Sequence, residues 1–226
     1  MTSIERYAKH IRDYEGRKPW LRARGIARLL ATTGLLPLEA RKAQRLLQNK
    51  KQPLRLHLGC GSIYLDGWVN IDLVSPPGKR RDLRWDLQRR IPFPDESIEA
   101  IFSEHLLEHL EIAAGFAHLK ECRRVLTPGG VLRIGVPDLE RYVYSYLGEN
   151  SLIEDERPGR PTRGIAFGEI FFFYEHKAMY DFETLELMLR EVGFEAVKRT
   201  AFGEGKLTSI DSESRRLETL YVEAVK

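Results

Sequence analysis

Residues 54–72, Leu-Arg-Leu-His-Leu-Gly-Cys-Gly-Ser-Ile-Tyr-Leu-Asp-Gly-Trp-Val-Asn-Ile-Asp, carry the types and spacings that point most directly to chemistry. Leu54, Leu56 and Leu58 alternate with Arg55 and His57 and run into Gly59-Cys60-Gly61, and a second short run, Trp68 to Ile71, ends in Asp72. Glycines at a strand end take unusual φ values and let a ligand approach the backbone closely. A carboxylate at the tip of the neighbouring strand accepts hydrogen bonds from both hydroxyls of a ribose. In an open α/β sheet the ligand lies beyond the carboxyl ends of the strands. These residues predict a nucleoside-containing cofactor. A dinucleotide fits poorly, because its G-x-G-x-x-G/A fingerprint puts an acid about 20 residues on. Here Tyr64 holds the third position and Asp72 follows Gly59 by 13 residues.

The elements that position these groups continue downstream. The stretch from Asp82 to His109 reads as strand, loop, strand, helix, with Asp86 ahead of Ile-Pro-Phe-Pro-Asp95 and Ser103-Glu104-His105 at the end of the second strand. Arg124-Val-Leu-Thr-Pro-Gly-Gly130 is a turn that feeds the apolar strand Val131 to Val136. Alternating strand and helix patterns of this kind predict an α/β domain with a parallel sheet.

Four blocks in this order, Gly59–Gly61, Asp72, the Asp86 to Asp95 block and Leu126-Thr-Pro-Gly-Gly130, resemble the class I S-adenosylmethionine-dependent methyltransferases over roughly residues 54–200. Leu-Gly-Cys-Gly followed by Gly-Trp-Val-Asn-Ile-Asp is similar, more narrowly, to bacterial methyltransferases associated with surface-glycan biosynthesis. The resemblance implies a doubly wound, Rossmann-like, mostly parallel seven-stranded sheet, with an antiparallel edge hairpin near 195–200 and 217–225. It implies S-adenosyl-L-methionine as cofactor, with Leu58, Gly59, Cys60 and Gly61 lining the methionine portion. Asp72 then takes the ribose hydroxyls, Asp86 the adenine amino group with Leu87 beside the ring, and Ser103 and Glu104 flank the sulfonium. Asp82 is the competing acid for the role of Asp86. Two positions depart from the pattern: His57 stands where the family has an acid, and Ile63 where it has a third glycine. The first crossover is short for a parallel connection, and is read as a shortened helix from Ser62 to Asp66.

Methyl transfer from a sulfonium is an in-line displacement in which alignment supplies much of the rate. A hydroxyl acceptor also needs a general base, for which histidine is suited. His105 is placed facing the acceptor and His176 is the candidate base. His105-x-x-Glu108-His109 also matches the inverted zinc-peptidase signature, and on a helix both histidines would share a face. The motif falls at a helix start in the methyltransferase pattern and no convincing third ligand follows, so no metal ligand is assigned. The expected function is S-adenosylmethionine-dependent O-methylation of a sugar or glycan precursor. The alternatives are a non-catalytic S-adenosylmethionine-binding or scaffold protein, a methyltransferase for a non-sugar small molecule, and a zinc hydrolase.

With 42% apolar and 31% charged residues in 226, the composition is that of a globular protein. There is no apolar run long enough for a membrane span and no apolar signal segment, and only two cysteines, Cys60 and Cys122, which together predict a cytoplasmic protein without disulfides. The net charge of +3 hides an asymmetry: residues 1–52 hold 13 basic and 4 acidic residues, leaving 53–226 acidic. The division at Gln52-Pro53 separates a basic helical extension, 1–52, from the catalytic domain, 53–226. The extension reads as three helices, about Ile4 to Ile11, Pro19 to Leu30 and Pro37 to Leu47. The basic amphipathic second helix packs on its own domain in the simplest reading; peripheral contact with an anionic membrane is the competing one. No nucleic-acid motif is present.

After the strand ending at Pro137 a helix over about 138–147 is expected, followed by an insertion, 148–180, that lids the site and meets the acceptor. Its first part, 148–168, reads as a loop in which Arg157, Arg160 and Arg163 share one polyproline II face. Tyr142 and Tyr144 are candidate pocket walls, Phe171-Phe-Phe-Tyr174 is packing, and Phe182 to Val192 is an amphipathic helix closed by Gly193.

Overall fold

The computed structural model describes residues 34–49, 53–74 and 76–226, together with 2, 4–6 and 9. Seven strands form one sheet: β1 (Leu54–Leu58), β2 (Val69–Asp72), β3 (Leu83–Arg84), β4 (Ile98–Glu104), β5 (Leu126–Pro137), β6 (Glu195–Thr200) and β7 (Thr219–Val225). Their order is β3-β2-β1-β4-β5-β7-β6. All pairs are parallel except β5 with β7 and β7 with β6. The edge hairpin therefore stands where the family resemblance implies it.

The central strands are apolar almost throughout because helices cover both faces of a parallel sheet. Leu56, Leu58, Ile71, Ile101, Leu132, Ile134 and Val136 are buried in one core. Helix α1 (Leu36–Asn49) contributes Ala43, α2 (Ile112–Val125) contributes Leu119, Cys122 and Val125, and α6 (Phe182–Val192) contributes Leu185, Met188 and Leu189. Helix α6 begins where the Asp181 carboxylate accepts from Thr184 N–H and ends at Gly193, whose φ of 96° suits only a glycine. The third predicted helix of the extension is α1; the first two, about 4–11 and 19–30, lie largely outside the described residues.

Two expectations are corrected. The segment from Ser62 to Asp66 is a series of turns, with Ile63 N–H on Cys60 O and Trp68 N–H on Leu65 O. Side chains replace the missing helix bonds: Asn70 Oδ1 accepts from Leu65 N–H at 2.9 Å, its amide donates to Leu65 O, and Asp82 accepts from Tyr64 Oη and Asn70 N–H. Asp82 is thereby a staple of the crossover. The stretch 148–168 is not a loop either. After α3 (Leu139–Leu147), the short helices α4 (Leu152–Glu156) and α5 (Arg163–Phe172) pack a second core of Tyr142, Ile153, Ala166 and Ile170. Arg160 is bound to both oxygens of Glu169 and Arg163 to Glu154 and Tyr146 O, while Arg157 lies over the Tyr174 ring. The three guanidiniums thus share no free face.

Arg133, fully buried on β5, holds the long connection between β6 and β7 through Asp211, Glu223, Thr200 and the carbonyls of Ala201 and Glu204. On β1, His57 stacks on Phe102 and places Nδ1 3.0 Å from Asn70 Oδ1. Burial, partly offset by Asn70, pushes its pKa from the ordinary 6.5 to about 4. The unfolded chain then takes up a proton near pH 6.5 that the folded chain refuses until about pH 4, so acidification across that window favours unfolding. This residue alone is expected to remove up to about 3 kcal/mol of stability across that window. Urea unfolding at a series of pH values should show His57→Gln losing that much of the wild-type pH dependence; an equal slope in both proteins would contradict the assignment.

Candidate active site

From β1 the chain steps outward to β2 and β3, then returns to start β4 on the opposite side of β1. This reversal leaves a crevice at the carboxyl ends of β1 and β4, where ligands bind in such sheets. The glycine turn lies at the end of β1, Asp72 at the end of β2, and Ser103, Glu104 and His105 at the end of β4, with Ser103 in register with Leu58.

Gly59 and Cys60 N–H both donate to Ile71 O, at 2.9 and 3.3 Å, which fixes the turn to β2. Gly61 N–H donates to Asp72 Oδ2 at 2.7 Å, and Val74 N–H to Oδ1 at 3.0 Å. The carboxylate is therefore oriented while each oxygen keeps a lone pair for a further donor. Gly61 has φ of 51°, and a Cβ there would meet nothing nearer than 4.0 Å, so the turn is open on its ligand side. Cys60 is buried, and burial followed by the Asp72 charge pushes its thiol up to about 12, so it stays a protonated packing group. Asp86 is nearly buried at the end of the β3 segment; its Oδ1 accepts from Gln88 N–H, and Leu87 beside it joins the core. Ser103 is buried at the tip of β4. Glu104, adjacent, spends its carboxylate on Tyr221 Oη, at 2.9 Å, and on the amide and hydroxyl of Ser212, pinning that segment to the strand tip. Glycines of this geometry beside an oriented carboxylate at the tip of the next strand fit an adenosyl cofactor.

The His-x-x-Glu-His motif does not lie on an α-helix. His105 has φ of 51°, a left-handed value that a non-glycine residue holds against about 1–2 kcal/mol. Its N–H is anchored on Gly135 O at 2.9 Å, and Leu107–His109 form a single 3-10 turn before α2. Strain of this kind persists where surrounding structure over-determines it, commonly at functional sites. The turn inverts the motif: Glu108 points inward and is fully buried, with His105 Nδ1 3.3 Å, His109 Nε2 3.9 Å and His176 Nε2 4.0 Å from its Oε1. His176 arrives from the end of α5 because Lys177 and Ala178 N–H both bind Glu108 O. Burial opposes ionisation of Glu108, but the surrounding histidines hold its carboxyl below the ordinary range. Burial outweighs the attraction of Glu108 at His176 and lowers its pKa to about 4, so its imidazole is neutral at pH 7.

A cavity of about 70 Å³ opens beside this cluster, lined by His105, His109, Tyr142, Tyr174, His176 and Glu218 among others. Both predicted histidines, His105 and His176, meet there, and so does Tyr142. Tyr144 does not: it faces a separate open groove beside β7, with Arg141, Arg199 and Phe202. Sequence reasoning gave Glu108 a place only in the zinc signature and missed Glu156 and Glu218 altogether. Tyr142 Oη lies within hydrogen-bond distance of both, at 2.6 and 2.9 Å, and burial followed by the Glu218 charge raises Glu156 to about 7. His105 Nε2 meets Thr219 Oγ1 at 2.8 Å, so the segment entering β7 forms one wall. Residues more than a hundred positions apart meet here, and no local pattern announces it.

A family model described as a methyltransferase domain matches residues 73–134, from the residue after Asp72 into β5. A curated relative from Mycolicibacterium smegmatis, described as a "probable S-adenosylmethionine-dependent methyltransferase", is 37% identical over 59 residues. That match covers 26% of this chain and only 22% of the relative's length. The crystal structure of a SAM-dependent methyltransferase from Archaeoglobus fulgidus superposes with a TM-score of 0.52 at 20% identity, covering 84% of this chain and 93% of that one. A SAM-dependent methyltransferase from Thermotoga maritima gives 0.49 at 17% identity, over 88% and 97% of the two chains, too loose to carry an argument. The fold is the Rossmann-like methyltransferase fold with antiparallel edge strands, and residues 73–134 carry a methyltransferase domain signature. These likenesses imply S-adenosylmethionine as the cofactor.

The glycine turn and the histidine turn are joined at one contact. A Cβ on Gly59 would lie 2.9 Å from Leu106 Cβ, next to His105, and Gly59 has φ of +74°. Gly59→Ala is expected to lose at least about 1–2 kcal/mol in urea unfolding from the left-handed backbone alone, and to weaken S-adenosylhomocysteine binding. Wild-type stability with wild-type binding would show that the two turns do not need this close approach.

Proposed function

We propose that the protein is an S-adenosylmethionine-dependent methyltransferase that methylates a hydroxyl oxygen on a sugar or glycan precursor. The observation that carries the reading is the sharing of one crevice. The glycine turn and Asp72 lie on one side of the β1–β4 reversal, and the left-handed His105 turn opens the polar cavity on the other. Leu58 to Gly61 would line the methionine portion, Asp72 would hold the ribose and Asp86 the adenine amino group, with Ser103 and Glu104 at the strand tip nearest the reacting end. When bound, the cofactor supplies an electrophilic methyl group.

The remaining work falls to the chain's own residues. The walls of the cavity offer histidine, tyrosine, arginine and carboxylate groups, the mixture of donors and acceptors that several hydroxyls need. A neutral His176 presents a lone pair instead of a charge, the form that can take up a hydroxyl proton or hold a cation. His105, fixed between Glu108 and Thr219, orients the groups around it. The glycan class rests on sequence resemblance and on this polar lining.

Calorimetry with S-adenosylhomocysteine is expected to give binding that Asp72→Asn weakens at least tenfold, since a hydrogen bond to a charged group contributes about 1.5–3 kcal/mol. Equal affinity in the two proteins would refute the ribose role. Incubation with methyl-labelled cofactor and a panel of free and nucleotide-linked sugars, carboxylates and amines should label the sugars. Label appearing only on amines or carboxylates would overturn the acceptor class.

A further inference from the structure

The Glu108 cluster holds a buried carboxylate whose two oxygens have no hydrogen bond of good geometry, although three histidine rings surround it. A fully buried carboxylate is unfavourable without a closely paired charge, and the imidazoles around Glu108 lie at 3.3–4.0 Å and carry charge only when protonated, so a bound cation would complete the cluster. One ligand atom each from Glu108, His109 and His176 lies within 4.8 Å of the other two. The rings of His109 and His176 meet nearly edge to face, with centroids 5.0 Å apart, and the Nε2 atoms of both lie within 4.0 Å of Glu108 Oε1. His176 Nδ1 is likewise buried without a partner.

We propose that Glu108, His109 and His176 bind a divalent transition-metal ion of the zinc class, with an open coordination position toward the acceptor cavity. The donor set is two imidazole nitrogens and one carboxylate oxygen, as in catalytic zinc sites that keep a fourth position for water or substrate. Ligand bonds of about 2.0–2.1 Å at tetrahedral angles separate donor atoms by roughly 3.4 Å, so donor atoms that lie up to 4.8 Å apart must close by at most about 1.4 Å around the ion. His105 does not join the ligands. Its Nδ1 lies against Glu108 Oε1 and its Nε2 against Thr219 Oγ1, so it orients the carboxylate, as outer partners of metal ligands do. The site differs from the zinc signature read in the sequence: the 3-10 turn separates His105 from His109, and the third ligand comes from beyond α5.

The ion's role, unlike its presence, rests on the methyl-transfer reading. An acceptor hydroxyl bound at the open position would have its pKa lowered, and would release its proton to water in the cavity. His176 is then a ligand and not the base.

The test uses the full chain, stripped with chelator and titrated with Zn²⁺ by calorimetry. Visible absorption of the Co²⁺-loaded protein reports the coordination directly. One ion per chain is expected, with affinity falling at least tenfold in the isosteric Glu108→Gln and in His176→Ala. Circular dichroism checks that both variants are folded, and the intensity of the Co²⁺ bands should change in each. Binding below a tenth of an ion per chain, or affinity and spectrum unchanged in both folded variants, would overturn the site and leave an imidazolium as the counter-charge of Glu108. S-adenosylhomocysteine binding, measured in parallel, separates the two readings: an ion bound without it supports the metal site and removes the methyl-transfer role.

Discussion

The site depends on the reversal of strand order between β1 and β4. Parallel strands joined by right-handed crossovers can extend a sheet in only one direction until the chain returns to its starting strand. Here it returns after β3, and the connections leaving the paired tips of β1 and β4 run in opposite directions along the sheet. The backbone groups at those tips cannot all be covered by the sheet's own connections. The glycine turn is one solution, with its amides on Ile71 O and on the Asp72 carboxylate. The left-handed His105 turn is the other, anchored on Gly135 O. Contact between Gly59 and Leu106 makes the two turns one structural unit.

Two buried charged clusters stand on that frame and are compensated differently. Arg133 is surrounded by Asp211 and Glu223 and by hydroxyl and carbonyl acceptors, a satisfied network that holds the β6–β7 connection against the sheet. Glu108 is ringed by three imidazoles at 3.3–4.0 Å, but neither of its oxygens has a hydrogen bond of good geometry. A polar network with every member satisfied rigidifies a core, whereas one left partly open is unfavourable unless a ligand or ion completes it. That contrast, between two charged groups buried equally deeply, is what motivates the ion proposed at Glu108.

Strand alternation at Leu54 to Leu58, the glycine pair and the closed helix from Phe182 to Val192 were legible in the sequence, because each depends on neighbours a few residues away, whereas the edge hairpin was expected only from the family resemblance. The helix expected over Ser62 to Asp66 was not, because the Asn70 and Asp82 side chains supply the loop with the bonds a helix would have made. The arginines at 157, 160 and 163 were misread for the same kind of reason. Their spacing suggested a shared face, but Glu154 and Glu169 on two short helices capture two of them separately. The cavity beside His105 was least legible. His105 and His176 could be singled out by type, yet the environment of each is set by Glu108, Glu218 and Thr219, which only the fold brings near.

The central claim is the position of the adenosyl ligand. A crystal structure with S-adenosylhomocysteine should place the ribose hydroxyls on Asp72, the adenine beside Leu87 with its amino group on Asp86, and the sulfur toward the cavity lined by His105 and His176. A ligand lodged instead in the open groove beside β7, or in the crevice with its sulfur turned away from that cavity, would contradict it.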